Sequence, residues 1–71
     1  MIWIVDEDRS FQVLGTNISK EANGNYALWV QRAGQSSFKL IEGDEAFIKE
    51  NKEAIDFAVK GGFKTYEIKR G

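Results

Sequence analysis

The 71-residue chain contains no cysteine and no histidine. Without cysteine it can form no disulfide, no thiolate nucleophile and no cysteine-based zinc or iron–sulfur site. Without histidine it lacks the commonest general base and the commonest ligand of transition metals. Most familiar catalytic constellations are therefore excluded, and we expect a protein that is not an enzyme and that holds no metal or cofactor.

The chain also lacks a large excess of positive or negative charge. Ten lysines and arginines face eleven aspartates and glutamates, which gives a net charge of -1. No global positive field concentrates polyanions, so nucleic acid would need a local basic patch. No apolar run approaches the roughly 20 residues that span a bilayer. Residues 1–5 are too short for a signal peptide and lack its basic flank. These absences predict a cytoplasmic location, and such a composition fits a phage or mobile-element accessory protein.

Length and hydrophobic content predict one small folded domain over residues 1–71. The hydrophobic fraction of 42% argues against disorder. A chain this short removes only about 60% of its unfolded surface from water when it folds, so its core is modest. Association with a second copy would be a natural supplement to that core.

Four segments with strand patterns come before a helix pattern. The strand segments are residues 1–5, 11–14, 25–32 and 37–42, and the last two are expected to form a hairpin. Residues 1–5 are apolar on both faces, which predicts a strand covered on both sides or a subunit contact. Residues 15–24 are interpreted as a polar connection that ends in an Asn23-Gly24 turn.

The helix is predicted to begin after Asp44, a good N-cap. Its apolar stripe is interrupted by Asn51, so both a continuous helix and a break near Glu50 stay open. Gly61 and Gly62 end it, and residues 63–69 form a last strand. The order ββββαβ predicts an α+β fold: a predominantly antiparallel sheet of four to five strands with one helix on one face. Placing the last strand beside residues 1–5 would explain why that first strand is apolar on both faces.

The strand over residues 25–32 places Trp29 opposite the face shared by Tyr26, Leu28 and Val30. An indole buries roughly 150 to 250 Å² when it is covered, so an exposed one usually marks a second layer, a subunit contact or a ligand. We therefore expect binding on the open face of the sheet.

The first hypothesis is a non-catalytic protein-interaction module, which includes a homodimer, that uses the open sheet face or an edge strand. In this hypothesis an apolar centre is surrounded by a polar rim, as is usual around an aromatic interface residue. The centre consists of Leu14, Trp29 and Ile41, and the rim consists of Gln12, Gln31 and Lys39.

The alternative is a module that binds single-stranded nucleic acid on the same face. Trp29 would stack on a base, and Arg32, Lys39 and Lys64 would contact phosphates. Another charged group, the acidic run of residues 6–8, matches no complete calcium loop and is interpreted as a solvated turn.

Overall fold

The computed structural model describes residues 1–69, so positions 70 and 71 of the expected domain lie outside the described residues. Six strands and one helix are present in them. They are β1 (Ile2–Asp6), β2 (Arg9–Val13), β3 (Gly15–Lys20), β4 (Tyr26–Gln31), β5 (Phe38–Gly43), α1 (Glu45–Lys60) and β6 (Thr65–Glu67). The α+β class is confirmed, with one strand more than the sequence predicted.

The strands form two three-stranded sheets, ordered β2-β1-β6 and β3-β4-β5. The expected single sheet of four to five strands is wrong in this respect. β1 pairs with β2 in antiparallel fashion and with β6 in parallel fashion, with Trp3 opposite Thr65. The pairing of the last strand with the first is therefore confirmed, as is the β4–β5 hairpin.

A single residue, Leu14, separates β2 from β3. Its backbone N–H donates a 2.7 Å hydrogen bond to the carbonyl of Gln31 on β4. The chain therefore passes from the first sheet into the second at Leu14 with no intervening loop.

β3 occupies most of the segment that was interpreted as a polar connection. Its sequence offers one large apolar side chain, Ile18, which pairs opposite Leu28. Polar contacts attach it to the helix instead: the Thr16 hydroxyl donates to Asp56 at 2.8 Å, and the Lys52 ammonium reaches the Thr16 hydroxyl at 3.1 Å. Such polar contacts leave no alternating apolar pattern in the sequence.

The core lies between the two sheets and α1. Its fully buried large side chains come from the first two strands, β4 and the helix, and they are Ile2, Ile4, Val13, Leu28, Val30, Ile48 and Ile55. On the other face of β1, Trp3 is 44% exposed. Of the two alternatives for β1, cover on both sides is therefore not found within the described chain, and a subunit contact through the Trp3 side stays a prediction.

The helix is continuous through Asn51. The Asp44 carboxylate caps it by accepting a 2.8 Å hydrogen bond from the Phe47 N–H. Asn51 is buried, and its amide donates to the Phe47 carbonyl at 3.1 Å. The Asn51 side-chain amide is thus hydrogen-bonded within the helix, and the helix does not break at this polar position in the apolar stripe. The helix ends at Gly61, followed by Gly62 with a φ of 74°, a conformation that favours glycine.

A β-bulge changes the faces of β5. Leu28 pairs with Ile41, but the next residue, Trp29, pairs with Lys39. Leu40 is therefore the bulged residue, which has no partner of its own on β4. Leu40 and Ile41 are consequently both buried. The prediction that Ile41 shares the open face with Lys39 is wrong, because simple alternation fails at the bulge.

Candidate functional site

The eight predicted site residues do not form one surface. They belong to the outer face of the second sheet, to exposed positions in or next to the first sheet, to the connection after β4, and to the core, although Gln12 and Arg32 line one groove. The outer face of the second sheet contains Trp29, Gln31 and Lys39, and the positions in or next to the first sheet are Gln12, Leu14 and Lys64. Arg32 lies in the connection after β4, and Ile41 lies in the core. The expected combination of Trp29, Leu14 and Ile41 in one apolar centre is therefore wrong.

Trp29 lies on the outer face of the second sheet, as alternation predicted, but it is half-buried. Its indole N–H donates a 2.9 Å hydrogen bond to the hydroxyl of Ser19 on β3. The only polar atom of the side chain is thus already used within the sheet. A shallow depression of about 140 Å³ beside the ring is lined by Thr16, Asn17, Gln31 and Ser37.

Lys39 is paired with two carboxylates on the same face. Its ammonium lies 2.9 Å from Glu21 and 3.1 Å from Glu42. The hydrogen bonds to Glu21 and Glu42 raise the pKa of Lys39, and the bond from Lys39 lowers the pKa of Glu42. The positive charge of Lys39 is therefore largely compensated before any ligand arrives.

Trp3 is the more exposed indole, on the outer face of the first sheet. It stands opposite Gln12 on β2 and Thr65 on β6. At the end of the β1–β2 ladder, where Ile2 pairs with Val13, the chain neighbours Met1 and Leu14 are 67% and 46% exposed. We call this surface, formed by Met1, Trp3, Gln12, Leu14 and Thr65, the Trp3 face.

The outer edge of β2 adjoins the Trp3 face. The Trp3 N–H donates to the Lys64 carbonyl at 2.9 Å, so the main chain of Trp3 points toward β6. Gln12, the antiparallel partner of Trp3, therefore directs its own N–H and C=O away from β1, and Ser10 does the same two residues earlier. No strand among residues 1–69 pairs with β2 on that side.

A groove of about 280 Å³ runs along this free edge. Its lining residues come from β1, β2 and the β4–β5 connection, and they are Trp3, Ser10, Phe11, Gln12, Arg32, Ala33 and Gln35. The groove thus places main-chain hydrogen-bonding groups, aromatic rings and one guanidinium side by side.

Aromatic contacts position Arg32 in the groove. The Arg32 guanidinium carbon lies 4.6 Å from the centroid of the Phe38 ring, and Phe38 packs edge-on against Phe11 at 4.9 Å. Arg32 forms no salt bridge with the described residues, and its buried Nε has no hydrogen-bond acceptor among them. Arg9, in contrast, is paired with Asp6 at 3.0 Å.

Glu7 and Asp8 form the exposed turn that the sequence predicted, but Asp6 does not belong to it. Asp6 ends β1 and is 2% exposed, and its pairing with Arg9 closes the β1–β2 hairpin. Among the described residues, no group of three or more acidic side chains is arranged to hold a metal ion.

One exposed aromatic pair was not anticipated. Phe57 and Phe63 pack edge-to-face at 6.1 Å where α1 ends, and they are 69% and 55% exposed. The available signal was a phenylalanine outside the apolar stripe of the helix. Trp3 was likewise absent from the predicted site residues, although its strand was interpreted as covered on both sides or as a subunit contact.

No protein-family model matches the chain, and searches of curated proteins and of solved structures find no significant match. Within residues 1–69, α1 lacks the length and apolar character that crossing a membrane requires.

Proposed function

We propose that the chain is a non-catalytic protein-interaction module that binds its partner through the Trp3 face and the adjoining edge of β2. The observation that carries this proposal is the exposed Trp3 indole on an open sheet face, with the exposed Met1 and Leu14 at the near end of the β1–β2 ladder. Contiguous exposed apolar groups of this kind are typical of protein interfaces. A second copy of the chain is one such partner.

Covering Trp3 would contribute appreciably to the free energy of association. If the exposed 44% of an indole of about 150 to 250 Å² is covered, roughly 2 to 3 kcal/mol of apolar burial becomes available. Gln12 and Thr65 flank the ring as the polar rim of such an interface.

The nucleic-acid alternative has less support. It requires Trp29, Arg32, Lys39 and Lys64 to act together, but Lys39 is paired with two carboxylates and Trp29 is hydrogen-bonded to Ser19. Titration with mixed single-stranded oligonucleotides distinguishes the two proposals. Binding that involves Trp29 and weakens steeply as salt rises would favour nucleic acid.

Three further expectations stay predictions: the absence of enzymatic activity, the cytoplasmic location and the role as a phage or mobile-element accessory protein. They agree with a small binding module, but each needs its own experiment.

Site-specific photo-crosslinking tests the proposed surface. A photoreactive amino acid is placed at position 14 on the Trp3 face or, as a control, at position 53 on the exposed side of α1. We expect crosslinks to a partner protein or to a second copy from position 14 and far fewer from position 53. Sedimentation of the purified chain over a range of concentrations identifies self-association.

A Trp3→Ser substitution added to the position-14 variant should abolish these crosslinks while the chain stays folded. Equal crosslinking from both positions, or no crosslinking from position 14, would overturn the proposal.

A further inference from the structure

We propose that the groove beside β2 takes an extended peptide segment that carries an acidic side chain. The segment adds as a strand to the free edge of β2, and its carboxylate binds the Arg32 guanidinium. This inference rests on the proposed protein-interaction function and deepens it, because it names the chemical class of the partner.

The main chain of β2 supplies the first part of the argument. Ser10 and Gln12 direct their N–H and C=O groups to the groove, spaced as one side of a strand ladder. Extended peptides bind sheet edges through such groups, and neighbouring pockets select their side chains.

The charge of the groove supplies the second part. Arg32 lines it, is fixed over the Phe38 ring and has no carboxylate partner among the described residues. Its Nε is buried, so a carboxylate that enters the groove would bind the terminal nitrogens of the guanidinium. Carboxylates match the donor geometry of a guanidinium better than any other protein side chain.

The composition of β2 argues against a second copy as the strand that is added. Residues Arg9–Val13 include no acidic side chain and begin with an arginine. Symmetric pairing of two β2 edges would thus place no carboxylate of β2 beside Arg32. A foreign segment with an aspartate or glutamate provides the complementary charge.

Two synthetic peptides serve as probes. Both are blocked at their termini and alternate threonine with valine; one has glutamate at its centre, and the matched peptide has glutamine there. Binding is followed through the Arg32 Nε–H signal and the backbone amides of Ser10 and Gln12 in ¹⁵N–¹H spectra. We expect the glutamate peptide to shift all three signals and to bind about tenfold more tightly than the glutamine peptide.

Three variants identify the contacts. Arg32→Gln should abolish the preference for glutamate, whereas Lys64→Gln, which removes an exposed cation outside the groove lining, should retain it. Gln12→Pro removes the outward N–H without removing a β1–β2 hydrogen bond, so it should weaken both peptides. The remaining amide signals report whether each variant is folded.

The inference is overturned if neither peptide binds, if glutamate brings no advantage, or if that advantage survives in Arg32→Gln. If any of these results accompanies crosslinking from position 14 that depends on Trp3, the interaction function stands and only the acidic-strand partner is wrong. If that crosslinking is absent as well, both proposals fail.

Discussion

The phenol of Tyr66 donates a 3.1 Å hydrogen bond to the side-chain oxygen of Asn51. The amide nitrogen of Asn51 donates in turn to the Phe47 carbonyl one turn earlier in α1. Both ends of a buried amide are thereby satisfied, and β6 is joined to the middle of the helix. A polar residue in the apolar stripe thus positions the last strand instead of interrupting the helix.

Removing this hydrogen bond should destabilise the fold measurably. We expect Tyr66→Phe to lower the free energy of unfolding by about 1 kcal/mol and Asn51→Ala to lower it by more, because the alanine also leaves the phenol without its acceptor. In a double-mutant cycle measured by chemical denaturation, the coupling should be about 1 kcal/mol. Additive effects of the two substitutions would contradict the assigned hydrogen bond.

The same residue should make stability depend on alkaline pH. Burial, with a smaller effect of the Glu50 carboxylate, raises the pKa of Tyr66. The stabilisation by the neutral phenol is therefore fully present below the unfolded-state pKa of about 10 and is lost as pH rises through the higher folded-state pKa. Unfolding measured between about pH 8 and about pH 11 should show a larger loss of stability for the wild type than for Tyr66→Phe. If the stability of the wild type and of Tyr66→Phe changes with pH in the same way, Tyr66 is not the source of the pH dependence.

Ile41 and Leu14, which the sequence placed on one surface, should respond differently to truncation. Ile41 is buried in the core, so Ile41→Ala should lower the free energy of unfolding by about 2 to 5 kcal/mol. Leu14 is half-exposed, and Leu14→Ala should lower the free energy of unfolding by much less, about 0.5 kcal/mol. Thermal or denaturant unfolding of the two variants provides the comparison. Similar losses in both would show that the bulge does not bury Ile41.

The two indoles should be distinguishable in solution. The variant Trp29→Phe retains only Trp3, and the variant Trp3→Phe retains only Trp29. Because Trp3 is more exposed and Trp29 is hydrogen-bonded to Ser19, acrylamide should quench the fluorescence of Trp3 more efficiently. More efficient quenching of Trp29 would move the candidate surface back to the second sheet.

Elements with a clear apolar period could be predicted from the sequence. The Asp44 cap, the helix that follows and its glycine stop are confirmed, as is the position of Trp29 opposite Leu28 and Val30. These features depend on local spacing and capping, which are visible in a single chain.

Other features depend on contacts that are distant in the chain. β3 is held partly by Thr16, Lys52 and Asp56, whose proximity no local pattern reveals. The bulge that buries Ile41 is a property of the β4–β5 ladder and not of either strand alone. Gln12 and Leu14 are exposed, as the sequence predicted. Because the strands divide into two sheets, however, these residues lie near Trp3 and not near Trp29.

The parallel pairing of β1 with β6 has a consequence for the order of folding. Trp3 pairs with Thr65, which is distant in the chain, so closing this pair has a large cost in chain entropy. Until it closes, β1 has an unpaired edge, and the first sheet consists of the β1–β2 hairpin alone, which is marginally stable in water. The second sheet is built from consecutive antiparallel strands and needs no such distant contact. In refolding experiments the second sheet should therefore form first, and the first sheet should close last.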